Sequence, residues 1–200
     1  MSINNILAVY FQATKIDQVE GENWYDNAHQ ISVRIADEFG LPLNTVVGVI
    51  AAISPNNKWG SNILDAENLI KAYSFEIAYP KVSTFHGNKF KAITILERKL
   101  SSDNDILQVL RGDKLTAFYQ NIATNSYTDV VTVDGHAYNI WNGSAVALDN
   151  VPSIGKKLYK TIAESYREAA KIINNVQGVR YSPSQVQAIT WVTWRRMINA

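Results

Sequence analysis

The residues best suited to chemistry lie in one short segment, Val131–Ala137. Its first half is apolar and β-branched, which favours an extended backbone, and Asp134 and His136 follow where a helix is expected to begin. A carboxylate held on a rigid element can stabilise positive charge that develops during bond cleavage, and it can also orient a water molecule. Aspartate is equally common as a helix N-cap, so a purely structural role for Asp134 stays open.

Three other segments precede Asp134 in the chain. Ile53–Trp59 is a polar turn that follows a buried apolar stretch and precedes an amphipathic helix. Gly87–Ile93 opens another helix, and Leu110–Ala117 contains a glycine turn between two helical patterns. We therefore expect these segments to be the turns and helix starts that surround a site.

Together the four segments resemble the motifs of the helix-hairpin-helix DNA glycosylase superfamily, and they occur in the order found in that family. The segment around Asp134 is similar to its V-D-x-H signature, and the resemblance covers roughly residues 45–141. It implies an all-α fold, a two-lobed helical bundle, with Asp134 as the catalytic residue and His136 as a structural support. It also implies one domain over residues 1–200, with one lobe at about 40–135 and its hairpin near 110–117. The second lobe would comprise the N-terminal helices and residues 136–200.

The hairpin segment departs from the family pattern, because it lacks the proline and the second glycine and keeps only Gly112. Bifunctional relatives carry a lysine nucleophile about eighteen or nineteen residues before the aspartate. Thr116 stands eighteen residues before Asp134 and Lys114 stands twenty before it. We expect a monofunctional enzyme that uses water, while a shift of register would allow Lys114 to form a Schiff base.

Access to a glycosidic bond in duplex DNA requires that the base be flipped out, which calls for a wedge and a stacking pocket. Asn56 or Asn57 could supply the wedge, and either could instead only shape a turn. Gln185 or Gln187 could read the base edge. Candidate stacking residues, each with core packing as the alternative, are Trp59, Tyr138, Trp141 and Trp191. Candidate DNA contacts, with simple solvent exposure as the alternative, are Lys58, Lys89, Lys91 and Gly112.

The composition excludes several classes of site. Cysteine is absent, so disulfides, zinc–thiolate sites and iron–sulfur clusters are excluded. His29, His86 and His136 lack metal-ligand spacing, and no P-loop or dinucleotide fingerprint occurs, so neither a metal nor a cofactor is expected. Formal net charge is only +1, yet the chain from Val151 onward contains eight basic residues and only two acidic ones. This basic C-terminal quarter could contact phosphates or could be a solvated helix face.

Helical periodicity dominates the whole chain, and no alternating pattern is long enough for a sheet core. The first helix is expected over residues 3–13, with Phe11 on its apolar stripe, and the next over 22–39, ended by Gly40. Asn44 is expected to cap a buried helix, although its Val- and Ile-rich sequence could instead form a short buried strand. Ser102 or Asp103 is expected to cap a later helix. Further helices are expected over 61–73, 87–100, 115–122, 135–143 and 155–174. A last helix is expected to begin at Pro183 with Ser182 as its N-cap.

The function expected from the resemblance is excision of a base, expected to be a modified one, from DNA by Asp134 and water. Two alternatives stay open: an enzyme on the same fold that modifies a base such as thymine without cutting the glycosidic bond, and a non-catalytic DNA-binding protein. The expected partner is duplex DNA with a flipped base, and no oligomeric state is indicated. Short proteins of this kind resemble those of bacteriophages, which would place the protein in the host cytoplasm. No apolar run approaches the length of a membrane span.

Overall fold

The computed structural model describes residues 2–199, and over that range the chain forms eleven α-helices, one short 3-10 turn and no β-strand. The predicted all-α class is therefore confirmed for the described residues. The helices are α1 (Ser2–Tyr10), α2 (Lys15–Glu22), α3 (Trp24–Phe39), α4 (Leu43–Ala52), α5 (Trp59–Ser74), α6 (His86–Glu97), α7 (Asp103–Leu110), α8 (Asp113–Ala123), α9 (Gly135–Asn142), α10 (Lys156–Gln177) and α11 (Pro183–Asn199), with the 3-10 turn at Leu148–Asn150.

Several helix ends follow from local chemistry that the sequence makes visible. Gly40 ends α3 with a φ of +63°, which a glycine adopts without strain. Ser182 caps α11 as predicted: its Oγ accepts the N–H of Gln185 at 3.2 Å. The Gln185 side chain accepts the Ser182 N–H at 2.9 Å in return, so the two residues form a capping box. Pro183 at the first helical position has no N–H to satisfy.

Two local predictions were wrong, and one helix was not predicted. Helix α2 begins with a capping box between Thr14 and Asp17. The first helix ends at Tyr10, and Phe11 lies beyond it with 54% of its surface exposed. Asn44 does not cap α4, because that helix begins one residue earlier; its side chain instead donates to the carbonyl of Ser101 at 3.3 Å.

The chain divides into two compact units. The first comprises the described residues through Asn27 and those from Gln120 onward. In it, α11 packs against α1, α2, α9 and α10. The crossing of α2 and α11 depends on Gly21, because a Cβ added there would lie 2.3 Å from the Ile189 Cα. Its buried apolar side chains include Ile6, Tyr10, Val131, Val133, Ile140, Ile162, Tyr166, Ile173, Val186, Ile189 and Trp194.

The second unit comprises Ala28–Tyr119 and is organised around α4. Every residue of α4 from Thr45 onward is buried, which is the outcome predicted from its unbroken apolar sequence. Helices α5, α6 and α7 pack around it. Because Gly48 has no side chain, Ile95 and Ile106 can pack close to its backbone. A Cβ added to Gly48 would lie 3.0 Å from Ile106 Cγ2 and 3.2 Å from Ile95 Cδ1.

Among the described residues, no single helix has the length and hydropathy of a membrane span, and only α3 and α4 taken as a sharply bent pair reach those values.

Candidate functional site

Asp134 lies at the N-terminus of α9, after an extended segment that is fixed on both sides. Val131 and Val133 are buried, and the Tyr159 hydroxyl donates to the Val131 carbonyl at 2.8 Å and accepts the Val133 N–H at 3.1 Å. Asp134 is half-buried, and its Oδ1 accepts the N–H of Ala137 at 2.8 Å. The residue is thus the N-cap of α9, the structural role that the sequence left open.

The cap engages only part of the carboxylate. Within residues 2–199, Oδ2 of Asp134 has no hydrogen-bond donor and the side chain belongs to no ion pair. The remaining oxygen of this half-buried side chain, which has no ion-pair partner, is therefore available to an outside group that carries or develops positive charge.

Beside this carboxylate, the first unit contains a buried polar network. The Tyr25 hydroxyl donates to Thr132 Oγ1 at 3.0 Å and lies 3.4 Å from Oε1 of Gln187. The amide of Asn121 donates to the same Thr132 oxygen at 3.1 Å. All four side chains are buried, so each polar group is paired where water cannot reach it.

Two buried phenols of the first unit are close enough to Asp134 to respond to its charge. Burial raises the pKa of Tyr25 and of Tyr166 well above the usual range, and the negative charge of Asp134 raises both further. Both tyrosines therefore stay neutral at physiological pH. The two phenols therefore contribute dipoles and no charge to the surroundings of Asp134.

An aromatic cluster centred on Trp191 lies on the same unit. The Trp191 ring packs edge-to-face with Trp24, at 6.3 Å between centroids, and with His136, at 6.2 Å. The Arg195 guanidinium lies over the Trp191 ring, 4.7 Å from its centroid, in a cation–π contact. Because Trp191 and His136 are each partly exposed, this cluster, two residues along α9 from Asp134, presents both an aromatic edge and a cation.

The other site residues predicted in this unit have structural partners. Gln187 is buried with 5% exposure beside Tyr25, and Gln185 caps α11 and donates to the Glu22 carbonyl at 3.2 Å. Neither amide is therefore presented to solvent for reading a base edge. Tyr138 and Trp141 lie against each other at 6.1 Å between centroids and pack on the hydrophobic core.

In the second unit, the two asparagines of the turn after α4 differ. Asn57 donates to Asp65 Oδ2 at 3.2 Å, and the same carboxylate oxygen accepts the Ser83 N–H at 2.7 Å. Asn57 is thus a structural residue. Asn56 is exposed and has a φ of +54°, the left-handed conformation that asparagine tolerates. Of the two wedge candidates, only Asn56 projects from the turn.

The neighbouring candidates of this unit are divided between packing and surface. Trp59 begins α5 and packs edge-to-face on Phe118 at 6.4 Å. Lys58 is exposed at the N-cap position of α5 without capping it through its side chain. Lys89 donates to the Tyr79 carbonyl at 3.3 Å, and Lys91 donates to the Leu110 carbonyl at 2.6 Å. Both lysines therefore donate hydrogen bonds to main-chain carbonyls within the second unit.

The segment compared with the hairpin is a two-residue turn between α7 and α8. Arg111 and Gly112 have φ values of +49° and +82°. Lys114 is exposed in the first turn of α8, which begins at Asp113 rather than near residue 115. The Thr116 hydroxyl lies 3.1 Å from the carbonyls of both Gly112 and Asp113. The missing proline and second glycine do not prevent a tight turn, because Arg111 and Gly112 both adopt a positive φ.

Tyr25, Asn121, Thr132 and Tyr166 were not among the residues predicted for the site, whereas Arg195 belongs to the basic C-terminal quarter. One signal was present: a threonine between two valines, in a stretch expected to be buried, requires a hydrogen-bond partner inside the protein. The identity of that partner could not be read, because Tyr25 is 107 positions away.

No group of acidic and histidine side chains that could hold a metal ion occurs among the described residues. The first unit also contains an open groove of about 490 Å³ between the segments 126–129 and 179–182, and Asp134 does not line it.

A model of a family of unknown function, DUF7178, matches residues 1–198, and the chain belongs to that family. No curated protein and no solved structure matches the chain significantly.

Proposed function

We propose that this member of DUF7178 is a DNA base N-glycosylase-like enzyme of the helix-hairpin-helix type, and that Asp134 acts as its carboxylate. The observation that carries the proposal is the state of this side chain. One oxygen is fixed by the Ala137 N–H, the other has no donor in the described part of the chain, and no cation pairs with it. The N-terminus of α9 favours this negative charge, and the absence of an ion-pair partner leaves the second oxygen open to an outside group.

The reaction would proceed by cleavage of the bond between the base nitrogen and C1′ of the sugar. The base leaves with the bonding electron pair, and positive charge develops on C1′ and the ring oxygen. The free oxygen of Asp134 stabilises that charge. A water molecule then adds to C1′ and loses a proton to solvent, and the departing base takes up a proton from solvent, which leaves a neutral free base and an abasic sugar.

The aromatic cluster supports the same function. A base that has left the duplex needs a surface on which to stack, and the partly exposed Trp191 and His136 offer one close to Asp134 along α9. Arg195, held over Trp191, offers a cation to a neighbouring phosphate. The order of the four sequence motifs adds support from the resemblance.

Water is the proposed nucleophile. Thr116 occupies the family's lysine position by residue count, and its hydroxyl is engaged with the main-chain carbonyls of Gly112 and Asp113. Lys114 would be the nucleophile only in a bifunctional enzyme. Borohydride would trap such an enzyme covalently on DNA, so we expect no trapped species with wild type, and trapping that disappears in Lys114→Gln would assign the lysine instead.

The test is to incubate the protein with DNA that carries normal, damaged and phage-type modified bases, followed by mass spectrometry of free bases and nucleosides. Wild type should release one kind of base, Asp134→Asn should not, and the exposed Asp149→Asn, the same chemical change in the same unit, should match wild type. An altered nucleoside without release would assign a base-modifying enzyme. Equal DNA binding by all three proteins without any product would assign a binding protein.

A further inference from the structure

An excess of positive charge lies at the start of α10. Lys156, Lys157 and Lys160 are all exposed, and none of them forms an ion pair within residues 2–199. The first turn of this 22-residue helix contains no acidic residue, and its N-cap, Gly155, offers no side chain. Nothing in the described chain therefore compensates these three charges.

This arrangement is unfavourable for the helix itself. The N-terminus of a helix carries partial positive charge from its unpaired N–H groups, so cations in the first turns oppose the helix dipole. The later basic residues of α10 differ, because Arg167 pairs with Glu164 at 2.9 Å and Lys171 with Glu168 at 2.6 Å. The unbalanced charge is thus confined to the first two turns.

The position of these turns connects them to the candidate site. Tyr159 lies between the lysines in sequence, and its hydroxyl bonds the main chain of Val131 and Val133. Those residues lead directly into Asp134. The start of α10 is therefore anchored to the segment that carries the carboxylate, and Lys156 and Lys160 are within one helical turn of the anchor.

We propose that Lys156, Lys157 and Lys160 bind the backbone phosphates of DNA that flank the nucleotide presented to Asp134. The inference rests on the proposed function, since it takes DNA as the substrate. Three uncompensated cations on one short surface match a strand that carries one phosphate about every 3.4 Å along its axis. Binding supplies the anions that the helix start lacks.

The experiment measures duplex DNA binding by fluorescence anisotropy at several salt concentrations. Compared are wild type, Lys156→Gln/Lys157→Gln/Lys160→Gln, and a control with the same loss of charge at three other exposed lysines, Lys15→Gln/Lys71→Gln/Lys81→Gln. Each lost phosphate contact should lower the slope of log K against log salt by about 0.9, so the first triple variant should lose about 2.7 and the control little. The first triple variant should also unfold at the same or a higher temperature than wild type, whereas lysines with a structural role would lower it.

Equal slopes for the two triple variants would overturn the proposal, as would a wild-type protein that does not bind DNA or that binds phosphatidylserine vesicles instead. Failure of the proposed function is separable from this result. If Asp134→Asn and wild type both release no base while the α10 variant alone loses its salt slope, the enzyme assignment fails and the phosphate site stands. If base release depends on Asp134 while the α10 variant keeps its slope, the phosphate site fails.

Discussion

Two substitutions at Asp134 separate its role as a helix cap from its charge. Asparagine caps helices about as well as aspartate, so Asp134→Asn keeps the acceptor for the Ala137 N–H and loses only the charge. Asp134→Ala loses both. Loss of an N-cap costs about 1 kcal/mol, and loss of the favourable interaction of a carboxylate with the helix dipole costs about 0.5 kcal/mol.

For a chain of this length, about 1 kcal/mol corresponds to a decrease of about 3 °C in Tm. We therefore expect Asp134→Ala to unfold several degrees below wild type and Asp134→Asn to remain within about 2 °C of it. Thermal unfolding followed by circular dichroism measures both, and Ser102→Ala, which removes the side-chain cap of α7, provides a matched cap deletion in the second unit. If Asp134→Asn were as unstable as Asp134→Ala, the charge itself would be required for folding, and the argument that one oxygen is free for chemistry would be refuted.

Four other substitutions test the packing and the electrostatics. Gly21→Ala should cost about 2 kcal/mol of unfolding free energy, because the new methyl group would meet the Ile189 backbone, whereas Gly60→Ala in α5, with open space around it, should be neutral or stabilising in the same denaturant titration. Thr132→Val should lower the free energy of unfolding by about 2 kcal/mol in the same denaturant titration, since the buried hydroxyl of Tyr25 and the amide of Asn121 lose their shared partner. An unchanged midpoint would show that this network does not stabilise the fold. Arg195→Gln removes the cation over Trp191 and should change the tryptophan fluorescence while costing under about 1 kcal/mol; identical spectra would exclude the contact. For Asp17, burial raises the pKa, but the hydrogen bonds from Thr14 and Arg196 outweigh burial, so the folded-state pKa is lowered. The stabilisation by Asp17 is therefore present above the ordinary carboxyl range and is lost as the pH falls through the lowered pKa. Wild type should be more stable than Asp17→Asn near neutral pH and lose that advantage in acid, and a pH-independent difference would refute this.

The helical class and most helix positions could be predicted because they depend on local signals. Gly40, Ser182 and Pro183 act within four residues of themselves, and the apolar run of α4 is unambiguous. Helix α2 escaped notice because its sequence is polar and short, and its start is fixed by the Thr14–Asp17 box rather than by apolar periodicity.

The position of Asp134 at a helix start could also be predicted, since an apolar extended segment and a capping residue are both local features. Its surroundings could not. Tyr25 and Asn121 meet Thr132, and Gln187 meets Tyr25, only through tertiary packing, and no periodicity in the sequence pairs these residues. Likewise, the sequence offered two adjacent asparagines as equivalent, and only the contact with Asp65 distinguishes Asn57 from Asn56.

The central claim is that the unpaired charge of Asp134 performs chemistry on DNA. The most direct measurement is single-turnover base release at saturating protein, with wild type and Asp134→Asn at matched stability and matched DNA occupancy. We predict that the rate falls by at least about a hundredfold in Asp134→Asn, the scale expected when one preorganised electrostatic group is removed from a transition state. Equal rates for the two proteins would contradict the claim and leave Asp134 as the cap of α9 alone.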